Sequence, residues 1–425
     1  MKDEIKTRLA QIQAGKIPEG YKKGKLGIVP EDWKEIIFSE LFTSTSEYTD
    51  DLEKYPLYSL TIEDGITAKT ERYDRSHLVK KENSYKIVRP NDYAYNPMNI
   101  RFGAVARHKG DTPVAVSGYY DIFTTVHPGD LTFMDNFLTC GAMITYYNRV
   151  STGSLVEKQR VHFSDFLKFS LPLPPLVERE RIANILSAQD KVIECYEKKI
   201  EQLKRMKKYY LQNMFPKDGE EYPEIRFKGF TDAWEQRKLG EVSERVKGND
   251  GRMDLPTLTI SAGSGWLDQK DRFSANIAGK EQENYTLLHK GELSYNHGNS
   301  KLAKYGAVFS LRTYEEALVP RVYHSFKVIE ADADYIEYLF ATKLPDKELG
   351  KLISSGARMD GLLNINYDEF MGISISMPSI EEQKKISSYL RSLDSTITLH
   401  QRKCEEEKKK KKALQQLLLT GLVRV

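Results

Sequence analysis

The stretch "LPLPPLVERERIANILSAQD", residues Leu171–Asp190, decides the fold, because the chain repeats its pattern about two hundred residues later. The second copy is "ISMPSIEEQKKISSYLRSLD", residues Ile375–Asp394. In both copies an acidic residue follows proline within four positions, which suits the first turn of a helix. Apolar residues then recur at steps of three and four, the period of an amphipathic helix. Each copy is therefore predicted to open a helix.

The apolar residues of both segments continue in a seven-residue register, the pattern of a coiled-coil seam. The seam positions are Ile182, Leu186, Ile193, Tyr196, Ile200, Leu203, Tyr210 and Met214, and Ile386, Leu390, Leu393, Ile397, Cys404, Leu414 and Leu418. Each helix is expected to run roughly 35–40 residues, or about 55 Å. Lys207 and Lys411 land at equivalent seam positions, so the two stripes are in phase. We expect the two helices to pack antiparallel.

The repeat extends beyond the helices through four anchors in the same order and at nearly the same offset. Trp33 matches Trp234, and "YSLTIEDGI" from Tyr58 matches "LTISAGSGW" from Leu258. In the third anchor, "YNPMNIRFGAV" from Tyr95 matches "YNHGNSKLAKYGAV" from Tyr295. In the fourth, "SDFLKFSLPLP" from Ser164 matches "DEFMGISISMP" from Asp368. The common order argues against chance similarity of apolar strands. Between the anchors, β-branched and aromatic residues broken by Gly, Pro, Asn and Asp predict short strands, turns and occasional helix.

These patterns predict an α+β fold with a pseudo-two-fold internal repeat. Two mixed α/β domains are separated by two long helices, packed as an antiparallel coiled coil that holds the domains apart as a spacer. The expected parts are a first domain at 1–175 with a short N-terminal helix, a central helix at 176–215, a second domain at 216–378 and a C-terminal helix at 379–425. Segments 1–20 and 216–233 are expected to connect the units.

Composition narrows the class of protein. A chain of 425 residues with 40% hydrophobic residues can form two or three domains with cores. Its 64 basic and 61 acidic residues leave a net charge of +3, so any basic surface must come from local patterning. The 3 cysteines contain no CxxC pair, which argues against disulfides and zinc. Without an apolar stretch long enough to span a membrane or a signal-like start, we expect a cytoplasmic protein.

Catalytic motifs are absent from the sequence: it contains no GxxxxGK[ST], GxGxxG, GxSxG or HExxH pattern. We therefore expect no catalytic residues, metal or cofactor. One segment, "AYNPMN" at Ala94–Asn99, is similar to the Asn-Pro-Pro-aromatic loop with which adenine methyltransferases grip a flipped base. Met98 and Asn99 replace the second proline and the aromatic residue, and the second copy has no proline. These departures favour a structural loop.

Two basic runs, "KKIEQLKRMKKYY" from Lys198 and "EEEKKKKKALQQ" from Glu405, lie at equivalent places late in the predicted helices. Such runs are usually the solvated face of a helix. A face toward phosphate or a partner is the alternative.

The chain resembles the specificity subunit of type I restriction-modification systems. The resemblance rests on the two variable regions and the helix openings "LPPLVERERIANILSAQD" and "MPSIEEQKKISSYLRSLD". It also rests on the closing "KKKKALQQLLLTGLVRV" and the linker "YPEIRFKGFTDAWEQRKLGEV", so it covers essentially the whole chain.

The resemblance implies two target recognition domains, each reading one half of a split, asymmetric site on double-stranded DNA. The helices would set the gap between the half-sites and dock two methyltransferase subunits, which supply the S-adenosylmethionine chemistry. ATP-dependent endonuclease subunits would join the full complex, and the chain itself would be non-catalytic. It would not contact a membrane.

Reading bases and phosphates requires polar and basic side chains on loops that reach the DNA grooves. The predicted DNA-binding residues of the first domain are Asn96, Asn99, Arg101, Arg107, His108 and Lys109. Those of the second domain are Ser264, Trp266, Lys270, Asn296, His297, Asn299, Ser300 and Lys301. For each of them, a solvated surface residue or a turn-forming asparagine is the alternative interpretation.

Three other functions stay open from the sequence. One is a specificity subunit whose partner chain fuses methylation and cleavage. A second is a DNA adenine methyltransferase that acts alone, against which the missing cofactor loop argues. The third is a coiled-coil scaffold with two protein-binding heads.

Overall fold

The computed structural model describes residues 2–68, 84–155, 159–273, 279–298, 300–353 and 362–425. The chain forms two compact units, the first made of Met1–Tyr196 with Lys403–Val425 and the second of Glu197–Arg402. Each unit therefore contains part of both long helices, so the units cut across the four-part division expected from the sequence. No helix in the described part of the chain is long and apolar enough to cross a membrane.

The first unit combines short antiparallel sheets with helices. Its helices are α1 (Lys2–Gln13), α2 (Phe38–Leu41), α3 (Leu131–Phe137), α4 (Gly141–Val150), α5 (Phe163–Phe166) and α6 (Leu176–Asn213), the last of which continues into the second unit. Its strands are β1 (Tyr21–Gly24), β2 (Gly27–Pro30), β3 (Lys34–Ile37), β4 (Phe42–Ser44), β5 (Tyr48–Thr49), β6 (Tyr58–Thr61), β7 (Gly65–Ala68), β8 (Tyr85–Val88), β9 (Tyr93–Tyr95), β10 (Val105–Arg107), β11 (Val114–Ser117), β12 (Asp121–Thr125) and β13 (Ser170–Leu173).

The second unit contains the remaining elements. Its strands are β14 (Glu235–Lys238), β15 (Ser243–Arg245), β16 (Leu258–Ser261), β17 (Gly265–Asp268), β18 (Thr286–His289), β19 (Leu293–Asn296), β20 (Ala307–Ser310), β21 (Glu316–Val319), β22 (His324–Val328) and β23 (Ser374–Met377). Its helices are α7 (Gln269–Phe273), α8 (Ala333–Ala341), α9 (Asp346–Lys351), α10 (Tyr367–Met371) and α11 (Ile380–Leu419), whose last part belongs to the first unit.

The two units share one sheet plan, so the predicted internal repeat is confirmed. A four-stranded sheet of order β10-β9-β12-β4 in the first unit corresponds to β20-β19-β22-β15 in the second. The pairs β6-β7, β8-β11 and β3-β13 correspond to β16-β17, β18-β21 and β14-β23. All these pairings are antiparallel, and those between consecutive strands, β6–β7, β9–β10, β16–β17 and β19–β20, are connected by short loops.

Both long helices form where the sequence predicts them. Helix α6 has 38 residues and α11 has 40. They run antiparallel within each unit, because early residues of one helix contact late residues of the other. In the first unit Lys411 Nζ lies 2.6 Å from Asp190 Oδ1, and in the second Lys207 Nζ lies 2.6 Å from Asp394 Oδ1. The predicted fold class and the antiparallel packing are therefore confirmed.

Each unit has its own apolar core, to which the helices contribute their seam residues. In the first unit aromatic rings centred on Phe123 and Phe166 pack with Ile182, Leu186 and Leu418. In the second unit Trp234 and Tyr335 pack with Leu203, Leu390 and Ile397. The seam positions thus join the helices to the sheets, which places the hairpin loops described below on a rigid support.

Candidate nucleic-acid interface

The first candidate loop joins β9 to β10 and is shaped by Asn96. The side chain of Asn96 is buried, and its Oδ1 accepts hydrogen bonds from the backbone N–H of Met98 at 3.1 Å and of Asn99 at 3.4 Å. At the far end of the loop, Gly103 takes φ of 94°, a left-handed conformation that favours glycine. Asn96 therefore builds the turn, in agreement with the structural interpretation of "AYNPMN", while Asn99 is exposed.

Arg101 lies at the outer edge of this loop. Its Nη1 donates to Gln159 Oε1 at 2.9 Å, and its guanidinium carbon lies 4.6 Å from the centre of the Phe102 ring. The carbonyl of Arg101 accepts a hydrogen bond from Asn148 Nδ2 at 2.8 Å. The loop edge is thus held on both sides while the Arg101 side chain stays partly exposed.

Arg107, His108 and Lys109 lie at the opposite end of the same hairpin, because Arg107 pairs with Tyr93 whereas the loop begins after Tyr95. Arg107 makes a bidentate contact with Asp135, at 3.0 Å from Nε to Oδ1 and 2.8 Å from Nη2 to Oδ2. Lys109 Nζ lies 3.3 Å from the same carboxylate. The structure therefore divides the six predicted residues of this unit between two places.

The Asp135 carboxylate determines the electrostatics around Arg107 and Lys109. Burial raises the pKa of Asp135, but hydrogen bonds from Arg107 and the charge of Lys109 lower it more, so the net pKa lies below the usual value. Arg107 is largely committed to this ion pair, whereas the Lys109 side chain remains 69% exposed. His108 is buried, and its Nε2 lies 2.8 Å from the carbonyl of Thr112.

A cavity of about 780 Å³ lies beside Arg107 and Lys109 within the first unit. Its walls include the turn between β6 and β7, Asp135 and residues of α6 and α11. Acidic residues such as Glu63, Asp64 and Glu194 line it together with the cations, so its charge is mixed.

The second unit repeats the asparagine-shaped loop between β19 and β20. Asn296 Oδ1 accepts from the backbone N–H of Gly298 at 3.0 Å, and its Nδ2 donates to the carbonyl of Ile260 at 3.3 Å. His297 is buried against the rings of Tyr295 and His324. Ser300 and Lys301 are exposed at the outer edge of the loop. Asn299 lies outside the described residues.

The hairpin β16–β17 supplies the other predicted residues of this unit. Ser264 and Lys270 are exposed, while the Trp266 indole is partly buried and its Nε1 donates to the carbonyl of Ser310 at 3.1 Å. A Cβ placed on Gly263 would lie only 3.2 Å from Leu302 Cδ1, so the tip of this hairpin touches the β19–β20 loop. The structure therefore brings the two predicted segments of the second unit together.

A more basic cavity, of about 1050 Å³, lies within the first unit between α4 and the last turns of α11. Cations line it at Lys25, Arg149, Lys408, Lys411 and Lys412, together with Asp190, and its apolar lining includes Leu26, Ala142, Ile144, Ile193 and Leu419. Lys408, Lys411 and Lys412 belong to the second basic run of the sequence. Part of that run therefore faces a concave surface.

Sequence reasoning did not identify three residues that shape these places. Asp135 holds two predicted cations, but it lies 28 residues from Arg107, so only the tertiary fold shows the contact. Phe102 and Leu302 are exposed large apolar side chains in the two loops, at 49% and 72%. The aligned repeat contained a signal for the last two, since each directly follows a predicted basic residue. Among the described residues, no cluster of His, Cys, Asp and Glu could hold a metal ion.

The sequence matches the protein family described as "Type I restriction modification DNA specificity domain" twice, over residues 30–205 and 231–408. Together the two matches span most of the chain. A curated relative is the type I restriction enzyme MjaVIII specificity subunit of Methanocaldococcus jannaschii, 26% identical over 275 residues. That alignment covers 61% of this chain and 63% of the relative, so it spans less than two thirds of the relative's length.

Two solved structures share the fold. The S subunit of a type I restriction-modification system from M. genitalium has a TM-score of 0.54 and 13% identity, covering 91% of this chain and 96% of its own. A chain from a type I R-M system, solved to explain complex assembly and conformational transition, has a TM-score of 0.51 and 13% identity, covering 93% and 99%. With the double family match and the repeated sheet plan, the chain belongs to the specificity-subunit family of type I restriction-modification systems.

Proposed function

We propose that this chain is the DNA sequence-recognition subunit of a type I restriction-modification complex, in which each unit reads one half of a bipartite, asymmetric DNA site. One observation carries the proposal. In both units an asparagine side chain, Asn96 or Asn296, accepts a hydrogen bond from the backbone of the loop that it begins. The exposed side chains of the two loops nevertheless differ, for example Phe102 and Leu302. A common loop structure with different exposed side chains suits two domains that recognise different bases.

The exposed members of the predicted set are the residues best placed to meet DNA. They are Asn99, Lys109, Ser264, Lys270, Ser300 and Lys301, with Arg101 partly exposed. Basic side chains would contact phosphates and position the loops, whereas base edges would be read by polar groups beside them. The buried Asn96, His108 and His297 support the loops, and a direct base contact from them stays a prediction, as it does for Arg107, Trp266, Asn296 and Asn299.

The partners are proposed to be two methyltransferase subunits and, in the full complex, ATP-dependent endonuclease subunits. The long helices would set the spacing of the half-sites and dock the methyltransferases. The cavity beside α11 supports a docking role, because apolar side chains and five cations line it together with a single carboxylate, Asp190, which suits an acidic, amphipathic surface. Methylation chemistry would then come from the partners, so the chain itself is proposed to be non-catalytic.

Methylome sequencing of cells that express this chain with its methyltransferase tests the proposal. The expected result is one methylated motif with two defined halves separated by a fixed gap of unspecified bases. A motif without a gap would contradict the two-reader model. Tight binding of labelled S-adenosylmethionine by the purified chain alone would favour a self-sufficient methyltransferase instead.

A further inference from the structure

Both recognition loops expose a large apolar side chain directly after a basic residue. In the first unit Phe102, 49% exposed, follows Arg101, and in the second unit Leu302, 72% exposed, follows Lys301. A single exposed apolar residue is ordinary on a protein surface. Here the same cation–apolar order recurs in both units, at the same distance from the asparagine that begins each loop. That recurrence points to a common ligand.

The backbone around Phe102 is fixed. The preceding Ile100 is fully buried, the Arg101 carbonyl accepts from Asn148 Nδ2 at 2.8 Å, and Gly103 turns the chain with φ of 94°. The 3₁₀ turn Ile100–Phe102 therefore presents the ring from a firm base, with the Arg101 guanidinium 4.6 Å from its centre. A contact made by this ring would lose little additional backbone entropy on binding.

Leu302 is presented in a comparable way. Ser300 Oγ accepts from the backbone N–H of Ala303 at 3.1 Å, and Ala303 is buried next to Leu302. Gly306 closes the loop with φ of 83°, at a point where a Cβ would lie 2.4 Å from the Asn296 carbonyl oxygen. The loop is thus closed tightly against its own start, and Leu302 lies at its outer edge over Gly263.

The chemistry of the pair favours DNA as the ligand. A cation beside an apolar group can pair with a phosphate while the apolar group meets a base step, either at a thymine methyl or between partly unstacked bases. The surroundings of Leu302 are polar and cationic, with Ser300, Lys301 and Lys304 all exposed, which suits a polyanion better than an apolar protein surface.

We propose that Phe102 and Leu302 are specificity-determining residues, each making an apolar contact with a base step in the half-site that its own unit reads. The inference rests on the proposed function and extends it, since it names side chains that discriminate bases without hydrogen bonds. A flat ring and a branched aliphatic group fill space differently, so the two half-sites would be selected by different shapes.

The test uses the full chain assembled with its methyltransferase and a duplex that carries the methylated motif. Phe102→Ala and Leu302→Ala are each expected to weaken binding to this duplex about tenfold, which is typical of losing one base contact. Binding to random-sequence duplex and the salt dependence should be unchanged, because an apolar contact releases no counterions. Each variant should relax the base preference in one half of the motif, and the two variants in different halves.

Matched controls separate this effect from a general surface effect. Tyr119→Ala removes an aromatic side chain of the first unit that is also 49% exposed, and Val322→Ala removes a branched aliphatic side chain of the second unit that is 45% exposed. Both should keep the base preference of the unaltered complex. Arg101→Ala and Lys301→Ala should instead weaken binding to all duplexes and lower the salt slope by about 0.9 for each lost phosphate contact.

The outcomes distinguish the inference from the function on which it rests. An unaltered complex that does not prefer the motif would overturn the proposed function. A complex that prefers the motif, with variants that keep its full discrimination, would overturn only the inference. Variants that lose methyltransferase assembly but discriminate normally once assembled would assign the two side chains to protein docking and would also overturn it.

Replacing thymines of the motif by uracil, one at a time, locates the contact. If a thymine methyl is the target, one replacement should weaken binding of the unaltered complex but not of the matching alanine variant. If a base step is opened instead, 2-aminopurine placed there should brighten with the unaltered complex and stay dim with the variant. If neither uracil replacement nor 2-aminopurine distinguishes the unaltered complex from the alanine variant in either half-site, an apolar base contact is contradicted.

Discussion

Glu178 and Glu382 lie in the first turns of α6 and α11, and in each unit an arginine that is distant in the sequence holds the glutamate. Arg424 Nε lies 2.6 Å from Glu178 Oε1, and Arg226 Nε lies 2.8 Å from Glu382 Oε1. Both pairs are bidentate, with second contacts at 2.9 and 2.8 Å. The first turn of each helix is thereby bound to the segment that follows the end of the other helix.

Replacing one of these arginines should show how much the Arg–Glu ion pair contributes to the free energy of unfolding. In Arg226→Ala the Glu382 side chain, only 1% exposed, would remain buried without its cation. We expect the free energy of unfolding to fall by about 3–5 kcal/mol, as for other broken buried pairs. Urea titration followed by tryptophan fluorescence measures it.

The control for this change is Lys217→Ala, which removes a cation from the exposed pair with Glu224. It should cost at most about 1 kcal/mol, because solvent screens exposed pairs. Equal losses in the two variants would show that the Arg226 contact is no stronger than a surface pair.

His324 adds a pH dependence to the second unit. Burial lowers the pKa of His324, the neighbouring His297 and Arg245 lower it further, and the hydrogen bond to the Ile365 carbonyl opposes them. The unfolded chain then binds a proton at higher pH than the folded chain does. Stability from this group is therefore complete above the unfolded pKa of about 6.5 and is lost as the pH falls below that value.

His324→Gln should flatten this acid sensitivity, because glutamine keeps an N–H donor for the Ile365 carbonyl but does not titrate. Urea denaturation between pH 5 and pH 8 should give stability curves of the variant and the unaltered protein that converge toward low pH. His127→Gln, at an exposed position, is the control and should keep the original slope. Parallel curves for His324→Gln and the unaltered protein would assign the acid sensitivity to other groups.

At the scale of elements, the two long helices are held by an apolar seam with charged contacts at its margin. Asp190–Lys411 and Lys207–Asp394 are equivalent pairs in the repeat, and both are partly exposed. Pairs of this kind contribute little to stability but disfavour a slipped register. The stabilisation comes mainly from buried seam residues such as Leu186 and Leu390, each fully buried.

Leu390→Ala tests the contribution of the seam. The substitution leaves a cavity in the core of the second unit, so we expect a loss of about 2–5 kcal/mol in the free energy of unfolding. Leu399→Ala, on the same helix but 41% exposed, is the matched control and should change stability by less than about 1 kcal/mol. Chemical denaturation of the two variants checks the difference, and a similar small loss in both would contradict a packed seam at Leu390.

At the scale of the whole molecule, the chain uses one sheet plan twice and places different side chains on the two equivalent loops. Each unit places an asparagine-shaped loop on a four-stranded antiparallel sheet and supports that sheet on part of both helices. The repeated plan suits a common partner for both units, whereas the different loops suit different bases. The common sheet plan and the different loops together are the physical basis of the proposed recognition of two different half-sites.

The sequence by itself determined the repeat, the two long helices and their antiparallel seam, and through its motifs the family. These features are local or periodic: a heptad register, a proline–acid helix start and anchors in a fixed order remain visible without coordinates. The loops that carry Arg101 and Lys301 could be predicted as candidate DNA-binding segments for the same reason. A turn that begins with asparagine is a local feature, formed by consecutive residues.

Only the tertiary structure decided which predicted residues are exposed and which are committed to internal partners. Asn96, His108 and Arg107 look alike in sequence, as polar residues near a turn, yet one shapes a loop, one is buried and one pairs with Asp135. Phe102 and Leu302 would be assigned to the core by hydrophobicity alone, but they lie exposed. The physical reason is that burial and ion pairing depend on residues distant in the chain, which a local pattern does not contain.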